Sequence, residues 1–133
     1  MVDSDGIGGA ICDYVRALNY KVFEFHGGHE AHDKVQYVNR RTEVWGLMRT
    51  AVTGPLDLPD DPELAVDLTC PEYGYTNKQQ IALEKKEDMK ERGLSSPDLG
   101  DAVAMTFAVP VAPVIPQKPK ANPYRYRPGG AFS

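Results

Sequence analysis

The stretch Val2-Asp3-Ser4-Asp5-Gly6-Ile7-Gly8-Gly9, followed by residues 10–25 (AICDYVRALNYKVFEF), decides the fold class. In residues 10–18, Ile11, Tyr14, Val15 and Leu18 recur at i, i+3, i+4 and i+7, the apolar stripe of an amphipathic helix. Residues 21–25 (KVFEF) alternate and are rich in β-formers, which predicts a strand. The residues ahead of the glycine turn then read as the end of an earlier strand. Strand end, glycine turn, helix and strand make a βαβ unit of an α/β sheet. Because only the last residues of that first strand are present, the chain is expected to begin partway through a fold.

Outward from this unit, residues 37–52 have helical spacing, with Val38, Val44, Trp45, Met48 and Val52 as inward positions and Arg40, Arg41 and Arg49 on the other face. Asp61-Pro62-Glu63 is a helix start, an N-cap followed by proline at the first helical position, and the helix should run to about Thr69. Residues 72–75 and 80–84 read as a hairpin across Asn77-Lys78. Residues 86–92 form a charged helical turn closed by Gly93. Ser96-Pro97-Asp98 opens the last helix, where Leu99, Ala102, Val103, Met105 and Phe107 predict burial. Residues 109–133 contain six of the eleven prolines, a Pro-rich basic tail expected to be disordered.

Charge divides along the same line. Four of the fifteen bases and none of the nineteen acids lie beyond residue 108, so residues 1–108 hold eleven bases against nineteen acids, a balance of −8. An acidic body does not coat nucleic acid by bulk charge, since phosphate binding draws on Lys and Arg. It is compatible with a nuclease, whose metal site is itself acidic. Cys12 and Cys70 stand far apart in no ligand spacing, which excludes a disulfide framework and a cysteine zinc site and fits a reducing cytoplasm. No apolar run approaches the roughly 18–20 residues of a membrane span, and no secretory signal opens the chain. A cytosolic protein is expected.

Two acidic constellations carry the chemistry. Asp98 and Asp101 are three apart at the head of the last helix, a spacing that puts two carboxylates on one face about 5–6 Å apart. Metal binding is one use; capping and the helix dipole are another, and spacing alone leaves both open. Asp3 and Asp5 stand at the carboxyl end of a strand, where open α/β sheets bind ligands; ordering the glycine turn is the alternative. Converging, the two pairs would suit Mg²⁺ or Mn²⁺.

Other patterns carry less. Gly6, Gly8 and Gly9 fail as a dinucleotide fingerprint because Ile11 stands where its third glycine belongs, and there is no Walker A sequence. His26, His29 and His32 with Asp33 are spaced by three, but Gly27-Gly28 between them favours a solvated loop over a metal site. Arg40, Arg41, Lys85, Lys86, Lys90 and Arg92 read either as solvated faces or as phosphate contacts.

The order VDSDGIGGAICDYVRALNY, FHGG, YVNRRTEVWGLMRTAV, PELAVDLTCPEYGY and IALEKKEDMKERGLSSPDLGDAVAMTFA resembles the C-terminal nuclease domain of the large terminase subunit of tailed bacteriophages, in register over residues 1–108. The resemblance implies an RNase H-like fold, a mixed sheet with flanking helices, and a two-metal endonuclease that cuts concatemeric double-stranded DNA during packaging. It places Asp3 in the strand-end VDxxGxG motif and Asp98 and Asp101 in the DxxDA motif as catalytic metal ligands. Asp5 and Lys86 are implied as auxiliary groups, and the YxNxR segment implies a structural role for Asn39 and Arg41; Arg40, Arg41, Lys85 and Arg92 are candidate DNA contacts on their charge alone. Two Mg²⁺ or Mn²⁺ ions are the implied cofactors. DNA, the portal ring, the small terminase subunit and a separately encoded ATPase or N-terminal part are the implied partners, in the cytoplasm of a host bacterium.

The chain departs from that pattern by lacking the packaging ATPase and the first strand with its further aspartate, and so reads as an incomplete domain, roughly the last two-thirds of one. Asp3, Asp98 and Asp101 alone are expected to hold cations weakly. An inactive remnant, or an interaction module that pairs with a separate N-terminal piece, is the alternative function.

Overall fold

The computed structural model describes residues 1–110. β1 (Val2–Asp3), α1 (Gly8–Ala17) and β2 (Glu24–Phe25) form the opening unit. β1 and β2 pair in parallel, Val2 opposite Glu24 and Asp3 opposite Phe25. Bonds from Val2 N–H to the Phe23 carbonyl (2.9 Å) and from Ser4 N–H to that of Phe25 (2.8 Å) frame the ladder. Gly8 permits the tight return into the helix: a Cβ there would lie 1.7 Å from the Asp3 carbonyl oxygen, a distance only glycine allows. The ladder is shorter than residues 21–25 predicted, because Lys21 and Val22 lie outside the paired register.

α1 forms where its periodicity predicts, but among the described residues its apolar stripe is mostly uncovered, with Val15 alone half-buried. Ile11, Tyr14 and Leu18 are exposed, as is Ile7 just ahead of it, and only Gly8 and Cys12 of the helix are buried. Periodicity belongs to the chain, whereas burial requires a neighbour.

α2 (Arg40–Ala51) begins later than the spacing of residues 37–52 predicted. Asn39 caps it, its side chain accepting the Thr42 N–H at 2.9 Å, and this fixes the start. Tyr37 is buried outside the helix, bridged to Ile81. Its ring occupies the space beside Gly46, where a Cβ would come within 2.5 Å. Val44, Trp45 and Met48 are buried as expected, but Val38 and Val52 are exposed.

α3 (Pro62–Thr69) starts as predicted, the Asp61 side chain accepting the N–H groups of Glu63 (2.8 Å) and Leu64 (3.2 Å). β3 (Tyr73–Tyr75) and β4 (Ile81–Leu83) make the antiparallel hairpin, Tyr73 opposite Leu83. α4 (Lys86–Glu91) is closed by Gly93 at φ +79. α5 (Asp98–Met105) packs between α2 and α3. It was expected to bury most of its surface, yet only Gly100 and Ala104 are fully covered and Leu99 and Ala102 are exposed. The reason is close approach along the small residues: a Cβ on Gly100 would stand 2.9 Å from the Trp45 ring.

The core is Phe25, Val44, Trp45, Met48 and Ala104, flanked by Leu68, Leu83, Val103, Met105, Phe107 and Ala108. Among the described residues the parallel and antiparallel pairs are separate, small, open ladders flanked by helices, an α/β architecture consistent with an RNase H-like fold. No helix among them is long and apolar enough to cross a membrane. Beyond residue 110, the tail expected to be disordered lies outside the described residues.

Candidate active site

Between the end of β1, the start of α2, the start of α4 and the first turn of α5 lies an open cleft of about 530 Å³, lined by Asp3, Asp5, Gly27, Arg41, Trp45, Lys85, Lys86 and Asp101 among others. Two elements far apart in sequence thus bring carboxylates to one space.

Asp101 is the fixed point. Its side chain is only 13% exposed, and its Oδ1 accepts the Trp45 indole N–H at 2.8 Å and the Arg41 Nε–H at 3.0 Å. Its Oδ2 meets the Lys86 ammonium at 2.8 Å. Arg41 is held in turn by a bond from Nη1 to the Glu84 carbonyl at 2.9 Å. A buried indole needs an acceptor and a buried carboxylate needs donors, so each satisfies the other. Burial draws the Lys86 pKa down, but its hydrogen bond to Asp101 and the charges of Asp101 and Asp98 outweigh that and hold it above the ordinary lysine value.

Asp98 stands apart. Its side chain is 79% exposed and does not line the cleft; it meets Lys86 at 3.6 Å and accepts the Ser96 hydroxyl at 2.7 Å. It is the first helical residue rather than the cap, and Pro97 at the cap position offers no side-chain bond. Asp67 on α3 performs that task, its Oδ2 accepting the N–H groups of Leu99 (2.8 Å) and Gly100 (3.3 Å). On the opposite wall, Asp3 accepts the Asp5 N–H at 3.1 Å. Asp5 accepts the Gly27 N–H at 3.0 Å and faces His26 Nδ1 at 3.3 Å.

Among the described residues no three His, Cys, Asp or Glu side chains converge as a metal site. The histidines do not gather: His26 stacks on His29 with centroids 4.4 Å apart, while the exposed His32 lends only its backbone N–H to Glu43 at 3.0 Å.

Most of the bases suited to phosphate are engaged internally. Arg40 pairs with the buried Glu43 and donates to the Ala108 carbonyl at 3.0 Å. Arg92 pairs with Glu84 (2.7 Å) and Glu72 (3.1 Å) and reaches the Cys70 carbonyl. Lys85 is exposed on the cleft. Sequence reasoning missed the roles of Trp45, Arg41 and Asp67. Arg41 and Trp45 are four apart and so share a face of α2, which was the one signal present; Asp67 gave none.

An α/β fold with an acidic cleft between a strand end and a helix start is the class of molecule these elements define. In three dimensions the chain is similar to the nuclease domain of the large terminase subunit gp2 of bacterial virus Sf6, at a TM-score of 0.64 and 22% identity over 82% of this chain and 64% of that one. An alanine mutant of that domain with manganese gives the same TM-score and identity over 81% and 64%. A mutant with calcium covers 81% and 63%. No protein-family model and no curated protein matches in sequence. The likeness shows that the fold is that of a terminase nuclease domain, and the chain spans 64% of the length of the solved domain.

Proposed function

We propose that this chain is the nuclease part of a phage DNA-packaging terminase large subunit and serves the cleavage of concatemeric double-stranded DNA. The observation that carries this reading is Asp101, held by Trp45, Arg41 and Lys86 in one cleft with Asp3 and Asp5, on a fold shared with a terminase nuclease domain.

Mg²⁺ or Mn²⁺ is the proposed cofactor, two ions in a complete site, with Asp3, Asp98 and Asp101 as ligands and Asp5 as an auxiliary acid. Hard carboxylate oxygens fit such cations in kind. They do not fit in number: Asp98 lies outside the cleft, and both oxygens of Asp101 already face cationic or N–H groups. The described residues therefore offer part of a donor set, and weak binding is proposed for the isolated chain. Such ions, when bound, supply Lewis acidity and an activated water.

The chain's own residues account for placement. Trp45 and Arg41 orient Asp101, and Lys86 neutralises the acids so that a phosphodiester can approach. Lys85 supplies a positive charge at the cleft. These contacts address phosphate rather than bases, so little sequence preference is proposed. The portal ring and the small terminase subunit are the proposed partners, in the cytoplasm of an infected bacterium.

Plasmid nicking in Mn²⁺ tests the reading. The parent chain should nick slowly, and Asp101→Asn should lose roughly a hundredfold, the scale of removing one preorganised electrostatic group. Equal nicking by both would remove Asp101 from the site, and no nicking by the parent at high enzyme would remove the activity from this chain alone.

A further inference from the structure

A second groove, of about 510 Å³, runs between the C-terminal half of α2, the end of α3 and the hairpin of β3 and β4. Its floor is largely apolar and buried, with Tyr37, Trp45 and Met48 among its residues. Its rim is exposed at Arg49, Val52 and Tyr73. Arg49 is the one charged residue among those that line it. The other arginines among the described residues each meet a carboxylate: Arg16 meets Glu24, Arg40 meets Glu43, Arg41 meets Asp101 and Arg92 meets Glu84. Arg49 meets none among the described residues and lies over the Tyr73 ring, 4.9 Å from its centroid. A guanidinium stacked on a ring is held in place while its N–H edge stays open, an arrangement suited to a carboxylate.

We infer that this groove is the docking site for a segment of a protein partner that carries apolar side chains beside one carboxylate, the apolar groups filling the floor and the carboxylate pairing with Arg49. Two observations select that occupant. The lining combines two tyrosines, the tryptophan, a methionine and an arginine, and contains no Lys, Asp, Glu, Ser or Ala. Those are the residue types that protein–protein interfaces concentrate and deplete, and Tyr, Trp and Arg dominate their binding energy. Charge makes the second selection: one unpaired cation in an apolar surround complements one anion, whereas the phosphates of a duplex draw on many bases. The chain's own residues 109–133 have no Asp or Glu to offer. The groove shares Thr42, Trp45 and Leu83 with the acidic cleft, so an occupant touches the ring whose indole holds Asp101. Docking here requires no nuclease activity.

The probe is an immobilised library of random heptapeptides, presented to the full chain. Retained peptides should carry one Asp or Glu flanked by aromatic or aliphatic residues. The tightest of them, added in solution, should shift the emission of Trp45, the chain's single tryptophan, saturably. Arg49→Met should weaken that binding about tenfold, the scale of losing one interface anchor, and Val52→Glu should weaken it similarly by setting a like charge on the rim. Arg49→Glu should restore binding to the same peptide with Lys in place of its acid, a rescue that loss of folding cannot mimic. The docking site is overturned by retention of no peptide, by retained peptides that lack an acid, by an affinity that Arg49→Met and Val52→Glu leave unchanged, or by failure of the rescue. An Arg49-dependent emission shift from a DNA duplex would make nucleic acid the occupant, and the same shift on concentrating the chain alone would make it a second copy. Either result displaces the partner proposed.

Discussion

α1 and α2 both carry apolar residues at helical spacing, yet α2 buries Val44, Trp45 and Met48 while α1 leaves Ile11, Tyr14 and Leu18 in solvent. The difference lies in what faces them. α5 reaches α2 through Gly100 and Ala104, small enough for the Trp45 ring to settle on the helix, and α3 closes the other side through Asp67. Among the described residues α1 packs chiefly on β1, one strand of a two-residue parallel pair. A hydrophobic stripe is thus a demand for a neighbour, met in one half of the molecule and, among the described residues, unmet in the other.

The largest expected effect lies where packing and the candidate site coincide. Trp45→Ala removes a buried ring and the N–H that Asp101 accepts, and should cost about 3–5 kcal/mol in denaturant unfolding. A loss no larger than that of an α1 substitution would erase the contrast between the two halves.

Glu43 sharpens the same side through pH. Burial pushes its carboxyl up, but the N–H groups of Asp33 and His32 and the Arg40 guanidinium outweigh this and hold it below its ordinary value of 4.5. A depressed folded pKa gives stability that is complete above the unfolded value and lost as pH falls through the folded one. Unfolding should therefore ease progressively below pH 4.5, and Glu43→Gln should flatten that dependence while costing roughly 1.5–3 kcal/mol at neutral pH. An unchanged acid limb in urea titrations of the variant would contradict the assignment.

Asp67→Ala comes next, at about 1–2 kcal/mol, the cost of losing a cap. Hydrogen exchange should rise at Leu99 and Gly100, whose N–H groups it accepts, and stay constant in α1. Smallest of all, Tyr14→Ala should change the stability of the isolated chain by no more than about 0.5 kcal/mol, because the side chain is mostly in water already. A cost of several kcal/mol would show that the α1 face is covered.

Local signals were legible in the sequence where one turn of chain carries the whole argument. The Val2 to Gly9 run, the Asp61-Pro62 cap and Gly93 after α4 act over a few residues, and each stands where its pattern indicates, whereas Asp98 and Asp101 share the first turn of α5 but only Asp101 lines the cleft. Non-local terms were not legible. Asn39 overrode the apolar spacing that suggested an earlier start for α2, and Tyr37 left the helix to fill the space beside Gly46. Asp67 caps a helix 32 residues downstream, a relation no spacing rule contains. For the site, Asp3 and Asp101 could be singled out, but the arginines read as surface charge are tied inward: Arg41 to Asp101 and Arg40 to Glu43. Charge type is written in sequence; whether a guanidinium faces solvent or a carboxylate is set by packing.

The chain has a single tryptophan, and its indole donates to Asp101. Manganese titration followed by tryptophan emission therefore reports directly on the acid at the centre of the account. The prediction is saturable quenching of Trp45 by Mn²⁺ that is lost in Asp101→Asn and weakened in Asp3→Asn; quenching that is linear in Mn²⁺ and identical in all three proteins would contradict it.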